Sequence, residues 1–302
     1  MLKIAFHPIY KHPLPEGHKF PMDKYDLLPR QLLHEGTCEA DNFFQPVIAS
    51  ADETYIRSTH ENTYVDRLYH LDIHGHEARK IGFPLSKALV DRERTITNGT
   101  IKACDLALEN GLAMNIAGGT HHAYSHRGEA FCMLNDQAIG ANYLLMNKKA
   151  SKILIIDLDV HQGNGTAQIF RDDERVFTFS VHGKSNYPFK KERSDLDIAL
   201  PDNTSDEDYL KMLKEHVPAL ISKVKPDFVF YLSGVDILST DKLGKLGCSL
   251  EGCKERDRYV LSVLYQHQLP VEVSMGGGYS RDIKVIIEAH ANTYRMAQDI
   301  YF

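Results

Sequence analysis

Hydrophobic positions along the chain fall into two alternating patterns. Short, unbroken apolar runs such as "KILIID" (152–157), "RVFTFSV" (175–181) and "DFVFYLSG" (227–234) have the make-up of strands covered on both faces. "KIAFH" (3–7), "MNIAGG" (114–119) and "VEVSMGGG" (271–278) read as three more strands. Between them the apolar spacing lengthens to three and four. Leu210, Leu213, Val217, Leu220, Ile221 and Val224 draw one stripe along a helix over 206–224. Further helices are predicted over 98–110, 134–147, 252–267 and 281–297. Strand–helix alternation of this kind predicts an α/β fold, a parallel sheet with helices on both faces. No long linker, repeat or low-complexity tract interrupts the pattern, so residues 1–302 are expected to form one domain.

Composition narrows the class without naming a chemistry. The chain is 43% hydrophobic and 25% charged, ordinary values for a soluble globular protein. A net charge of −6 gives no sign of nucleic-acid affinity. Five cysteines (Cys38, Cys104, Cys132, Cys248, Cys253) form no CxxC pair and leave one over in any disulfide scheme, which points to reduced thiols. The opening "MLKIAFHPIYKHPLPEGHKF" has no signal-peptide core and no run reaches membrane-spanning length. A cytoplasmic location is expected.

Polar and titratable residues gather where the predicted strands end, the place where parallel α/β sheets bind ligands. "IDLDVHQGNG" sets Asp157, Asp159 and His161 at alternate positions, so that Asp159 and His161 face one side of an extended chain. Asp236, in "SGVDIL" after another buried run, is the candidate third ligand of one cation. Two carboxylates, one imidazole and an open position suit a catalytic zinc ion; oxygen-rich ligation leaves iron(II) or another divalent metal open as well. "GGTHHAYSH" adds the adjacent imidazoles His121 and His122, a base and a second hydrogen-bonding group. "GGGYS" adds Tyr279, whose phenol can donate to a developing oxyanion.

Taken in order, "GGTHHAYSHRGEAFCMLND", "IDLDVHQGNGTAQIF", "SGVDIL…DKLGKLGCS" and "GGGYS" resemble the motifs of the histone deacetylase family, from about His7 to Ile286. "DLDVHQGNG" and the short "GGGYS" look like the class IV branch. The resemblance implies a three-layer α/β/α, arginase-like fold around a mainly parallel sheet of about eight strands. It implies zinc on Asp159, His161 and Asp236, with metal-bound water as the nucleophile. His122 becomes the general base and later acid, paired with His121, and Tyr279 polarises the carbonyl. Asp157 matches the aspartate that orients His121 and, with Ser180, a structural potassium site. Phe131 and Tyr187 match the walls of an acyl-lysine tunnel, and Gly277 a substrate-binding position.

The implied activity is hydrolysis of the Nε-acyl amide of acyl-lysine, acetyl or long-chain. An acetylpolyamine or other small acetyl-amine deacetylase is the alternative on the same metal core. A non-catalytic acyl-lysine binder is disfavoured, since the metal and acid–base set is complete. The expected partner is an acyl-lysine peptide or protein, or a small acylated amine. Departures from the family pattern are Gln162 and Asn164, where most members carry histidine and aspartate, and Lys24, where they carry an arginine lining an internal pocket. Neutral Asn164 cannot stabilise an imidazolium as a carboxylate would. His70, His74 and His76 lack an HExxH pattern and are not read as a second metal site. "DRERTITNG" and "NKKASK" are read as solvated charges flanking helices.

Overall fold

Eight strands, all paired in parallel, make one sheet in the computed structural model, which describes residues 1–302. They are β1 (Lys3–Ala5), β2 (Phe43–Phe44), β3 (Leu112–Asn115), β4 (Ile153–Asp157), β5 (Val176–Gly183), β6 (Leu196–Leu200), β7 (Phe228–Ser233) and β8 (Val271–Met275). The order across the sheet is β2-β1-β3-β8-β7-β4-β5-β6. Every residue of β3, β4, β7 and β8 is buried, as expected for strands covered on both faces.

Ten helices complete the three layers: α1 (Lys24–His34), α2 (Glu53–Thr59), α3 (Asn62–Tyr69), α4 (Gly75–Ile81), α5 (Lys87–Asn110), α6 (Asp136–Met146), α7 (Asn164–Ile169), α8 (Asp206–Val224), α9 (Leu250–Gln266) and α10 (Ile283–Tyr301). Helix α9 packs between α8 and α10, and α10 meets α1; α6 packs between α5 and α2. Side-chain caps set several starts. Asn135 accepts from the Ala138 N–H at 3.1 Å, Ser205 from Asp208 at 3.2 Å and Ser249 from Gly252 at 3.0 Å.

The six predicted strands and five predicted helices are present, with shifted ends. The largest shift is in α5, which begins at Lys87 rather than 98. Its first turns carry "DRERTITNG", and this stretch is not a solvated flank: Arg92 and Glu93 are 2% and 1% exposed and pair with each other. Charge pairing lets the segment enter the core, which its composition alone argues against. "NKKASK" does lie largely exposed.

Candidate active site

The order β3-β8-β7-β4 makes neighbours of the four loops that leave these strands' carboxyl ends. The β4 loop carries Asp159 and His161, and the β7 loop carries Asp236. One ligand atom from each lies within 4.8 Å of the others, and all three residues are buried. His161 Nδ1 is 3.0 Å from Asp159 Oδ1 and 3.2 Å from Asp236 Oδ2. Backbone groups fix the remaining oxygens: the Val160 N–H donates to Asp236 Oδ1 at 2.9 Å and the Gly277 N–H to Asp159 Oδ2 at 2.7 Å. Gly277 is confined to glycine here, because a Cβ would stand 2.1 Å from Asp236 Oδ2.

The donor atoms of this cluster suit a cation. Burial raises the Asp236 carboxyl and Asp159 raises it further, to about 7. Burial works against the His161 imidazolium, but the adjacent Asp159 and Asp236 carboxylates outweigh it and push the group up to about 10. Asp236 Oδ2 is buried with no hydrogen-bond partner, a rare condition for a carboxylate oxygen unless an ion satisfies it. An O,O,N donor set with a cavity on its open side fits a catalytic zinc, and fits iron(II) equally.

The paired histidines sit beside the cluster, their rings 4.1 Å apart. His121 Nδ1 is 2.7 Å from Asp157 Oδ2, and His122 Nδ1 is 2.6 Å from Asn164 Oδ1. Burial and the neighbouring His121 and His161 hold His122 well below the usual imidazole range, so its ring is neutral. The Nδ1 bond leaves Nε2 as its free nitrogen. Asp157 faces Ser180 in the β4–β5 register; its Oδ1 accepts from the Asp159 N–H, while Ser180 Oγ is 3.1 Å from His182 Nδ1.

A cavity of about 300 Å³ opens over these groups, lined by His121, His122, Asp159, His161, Gly277 and Tyr279 together with aromatic side chains. The Tyr279 ring lies 6.5 Å from the His161 ring and 6.3 Å from Phe131. Tyr187 meets the His122 ring edge-on at 5.1 Å. Phe131 and Ala130 both have positive φ, +69° and +45°. Such backbone is strained for residues with a side chain, about 1–3 kcal/mol each. The strain is held by N–H bonds from Ala130 and Phe131 to the carbonyls of Lys80 and Ile81, at 2.8 and 2.7 Å. It turns the Phe131 ring into the cavity wall.

Several contributors lie outside the candidate residues read from the sequence. Phe20 and Phe83 pack on Phe131 with ring centroids 5.2 and 5.1 Å away. Asp241 accepts from the Leu243 and Gly244 N–H groups at 2.8 Å and from the Tyr279 N–H at 2.6 Å, which fixes the tyrosine's backbone. Glu129 accepts from the Tyr187 hydroxyl at 2.6 Å. The one advance sign of Asp241 is its place in "DKLGKLG". Lys24 is buried at the cavity floor, donating to Gly276 O at 3.0 Å, and burial lowers it to about 8. Gln162 faces away from the reaction groups, bonded to Asp197 and the Glu192 backbone. His70, His74 and His76 lie exposed and form no ligand group. All five cysteines are free and buried.

The chain is similar to several known proteins. A family model described as histone deacetylase domain matches residues 18–294. An uncharacterised protein of a Picosynechococcus strain is 44% identical over 298 residues, 99% of each chain. Histone deacetylase 2 of Arabidopsis thaliana is 29% identical over 289 residues, 92% of this chain and 74% of that one. The acetoin utilization protein AcuC of Staphylococcus aureus strain MRSA252 is 30% identical, over 97% of this chain and 78% of that one. The crystal structure of the HDA15 HD domain superposes with a TM-score of 0.83 at 18% identity, covering 99% of this chain and 88% of that one; this is a likeness of fold.

Proposed function

Because the chain belongs to the histone deacetylase family, we propose that this hydrolase cleaves the Nε-acyl amide of acyl-lysine at one metal centre held by Asp159, His161 and Asp236. The observation that carries the reading is the convergence of these three buried donor atoms within 4.8 Å, with Asp159 and His161 lining the cavity. A zinc ion bound there supplies a Lewis acid for the acyl carbonyl and lowers the pKa of a water molecule.

The chain's own residues supply the rest. His122, neutral and fixed through Nδ1 by Asn164, takes a proton at Nε2 and returns it to the departing lysine amine. His121, held by Asp157, adds a hydrogen-bonding group beside it. The Tyr279 hydroxyl donates to the carbonyl oxygen as it gains charge. Phe131 and Tyr187 flank the aliphatic stem of the acylated lysine. Asp157 and Ser180 border the proposed structural potassium site. Asn164 and Gln162 support a place near the class IV branch, and we take residues 1–302 as one catalytic domain.

A panel of acyl-lysine peptides from acetyl to myristoyl, with acetylputrescine, tests the proposal with and without chelator. Chelator-sensitive hydrolysis of an acyl-lysine peptide is expected. Hydrolysis indifferent to chelator overturns the metal mechanism, and a preference for acetylputrescine overturns the lysine substrate.

A further inference from the structure

Below the metal-binding carboxylates lies an ion pair that none of the roles above employs. Arg256 and Asp257, in the second turn of α9, are both 0% exposed. Arg256 Nε donates to Asp257 Oδ1 at 2.9 Å. Asp257 is held from two further elements: the Tyr231 hydroxyl of β7 donates to Oδ1, and Thr293 Oγ1 of α10 donates to Oδ2 at 2.8 Å.

Arg256 turns its other end toward the site. Its Nη1 donates to the Gly234 carbonyl and lies 3.4 Å from the Leu158 carbonyl. Leu158 immediately precedes Asp159, and Gly234 stands two residues before Asp236. One guanidinium therefore joins the main chains of the two loops that bring the carboxylates together. The loops are in close approach at this point: a Cβ on Gly234 would stand 2.6 Å from Asp159 Oδ2 and 2.9 Å from Asp236 Oδ1.

Stability is a poor account of such a pair. Apolar residues of similar volume commonly replace a buried ion pair without loss, and Arg256 Nη2 is left with no partner at all. A planar guanidinium does offer what no apolar residue can, several donors at fixed angles on one rigid head. We infer that Arg256, oriented by Asp257, is a positioning residue that sets the separation of Asp159 and Asp236 and so the affinity of the site for its divalent ion. The inference rests on reading Asp159, His161 and Asp236 as metal ligands.

Zinc affinity measured by competition with a chromophoric chelator tests it, alongside thermal midpoint and kcat and KM on an acyl-lysine peptide. Changes to groups that support metal ligands cost about 10–100-fold in affinity. Arg256→Lys, which keeps the charge but loses the fork, is expected to weaken zinc binding within that range, and to lower kcat with KM unchanged. Thr293→Val is isosteric and removes the hydroxyl that bonds Asp257, and gives a smaller loss in the same direction. Leu220→Ala, a cavity in α8, lowers the midpoint while zinc affinity stays at the wild-type value. Wild-type zinc affinity in a destabilised Arg256→Lys overturns the inference; if that variant is not recovered folded, wild-type affinity in Thr293→Val does so. Failure of the wild-type protein to bind one zinc equivalent overturns the ligand assignment itself, a separate outcome.

Discussion

A phenol placed beside two carboxylates in a buried setting keeps its proton. Burial first, then Asp159 and Asp236, hold Tyr279 well above the usual phenol range, which keeps its O–H as a donor. Tyr279→Phe keeps the ring and its contacts with Phe20 and Phe131 and removes only that donor. Turnover is expected to fall by about 10²–10³, with the thermal midpoint nearly unchanged; near-wild-type kcat would exclude Tyr279 from the reaction. Lys24 makes the opposite kind of case. Burial lowers its ammonium from 10.5 to about 8, only partly offset by Asp236 and Asp159. The unfolded chain binds this proton up to the higher value and the folded chain only to the lower. The resulting penalty is complete below about pH 8 and gone above about pH 10.5. At about 1.4 kcal/mol per pH unit, some of that stability is recoverable at pH 7. Lys24→Met is expected to stabilise the fold by about 1–3 kcal/mol in urea unfolding at pH 7, the lost bond to Gly276 O setting the lower end. A gain that does not shrink toward pH 10 would contradict this account.

At the scale of elements, what the sequence displays depends on whether a role is local or tertiary. The central strands were legible because β4 and β7 carry unbroken apolar runs that only a doubly covered strand requires. Strand β2 has two residues and β6, "LDIAL", is mostly half-exposed, so neither presents a run to find. Strand β8 alternates as if one face met water, yet Glu272 and Ser274 are buried; Ser274 bonds Asp136, and burial holds Glu272 well above the carboxylate range. Asp159, His161 and Asp236 were visible as proposed ligands because they follow strand ends, a local condition. Glu129, Phe20 and Phe83 act through partners tens of residues distant, and so does Asp241 in its bond to Tyr279, which no spacing encodes. His60 belongs with them. It ends α2 and, as a neutral ring, donates from Nδ1 to Tyr124 O at 2.9 Å while Nε2 accepts from the Asn135 N–H at 3.0 Å, tying α2 to the start of α6. Burial lowers it from 6.5 to about 4. As pH falls, the unfolded chain protonates first, so the stability this ring contributes above pH 6.5 is lost through pH 4. The full loss comes to about 3.4 kcal/mol. Urea unfolding at pH 7 and pH 4.5 should show His60→Gln losing less stability on acidification than the wild type; equal losses would remove His60 as a source of acid sensitivity.

Across the whole molecule, the proposed ligands come from two non-consecutive loops whose adjacency exists only when β7 and β4 pair in the folded sheet. An ion bound there meets no preformed site in the unfolded chain, so its binding energy adds to folding stability. With free metal about 1,000-fold above its Kd, the contribution is about 4 kcal/mol. For a chain of 302 residues that corresponds to roughly 6 °C in thermal midpoint. Chelation is therefore expected to abolish hydrolysis and to lower the midpoint by about that amount, and added zinc to restore both. Iron(II) restoring both under anaerobic conditions would place it beside zinc as a competent metal, since the donor set suits either. Hydrogen exchange locates the effect. Protection should fall first in the loops around 157–164 and 234–244, which the ion joins, and should persist in β1 and β3, which it does not touch. A metal-free protein with an unchanged midpoint and uniform protection would mean that Asp159, His161 and Asp236 are held together by the fold alone.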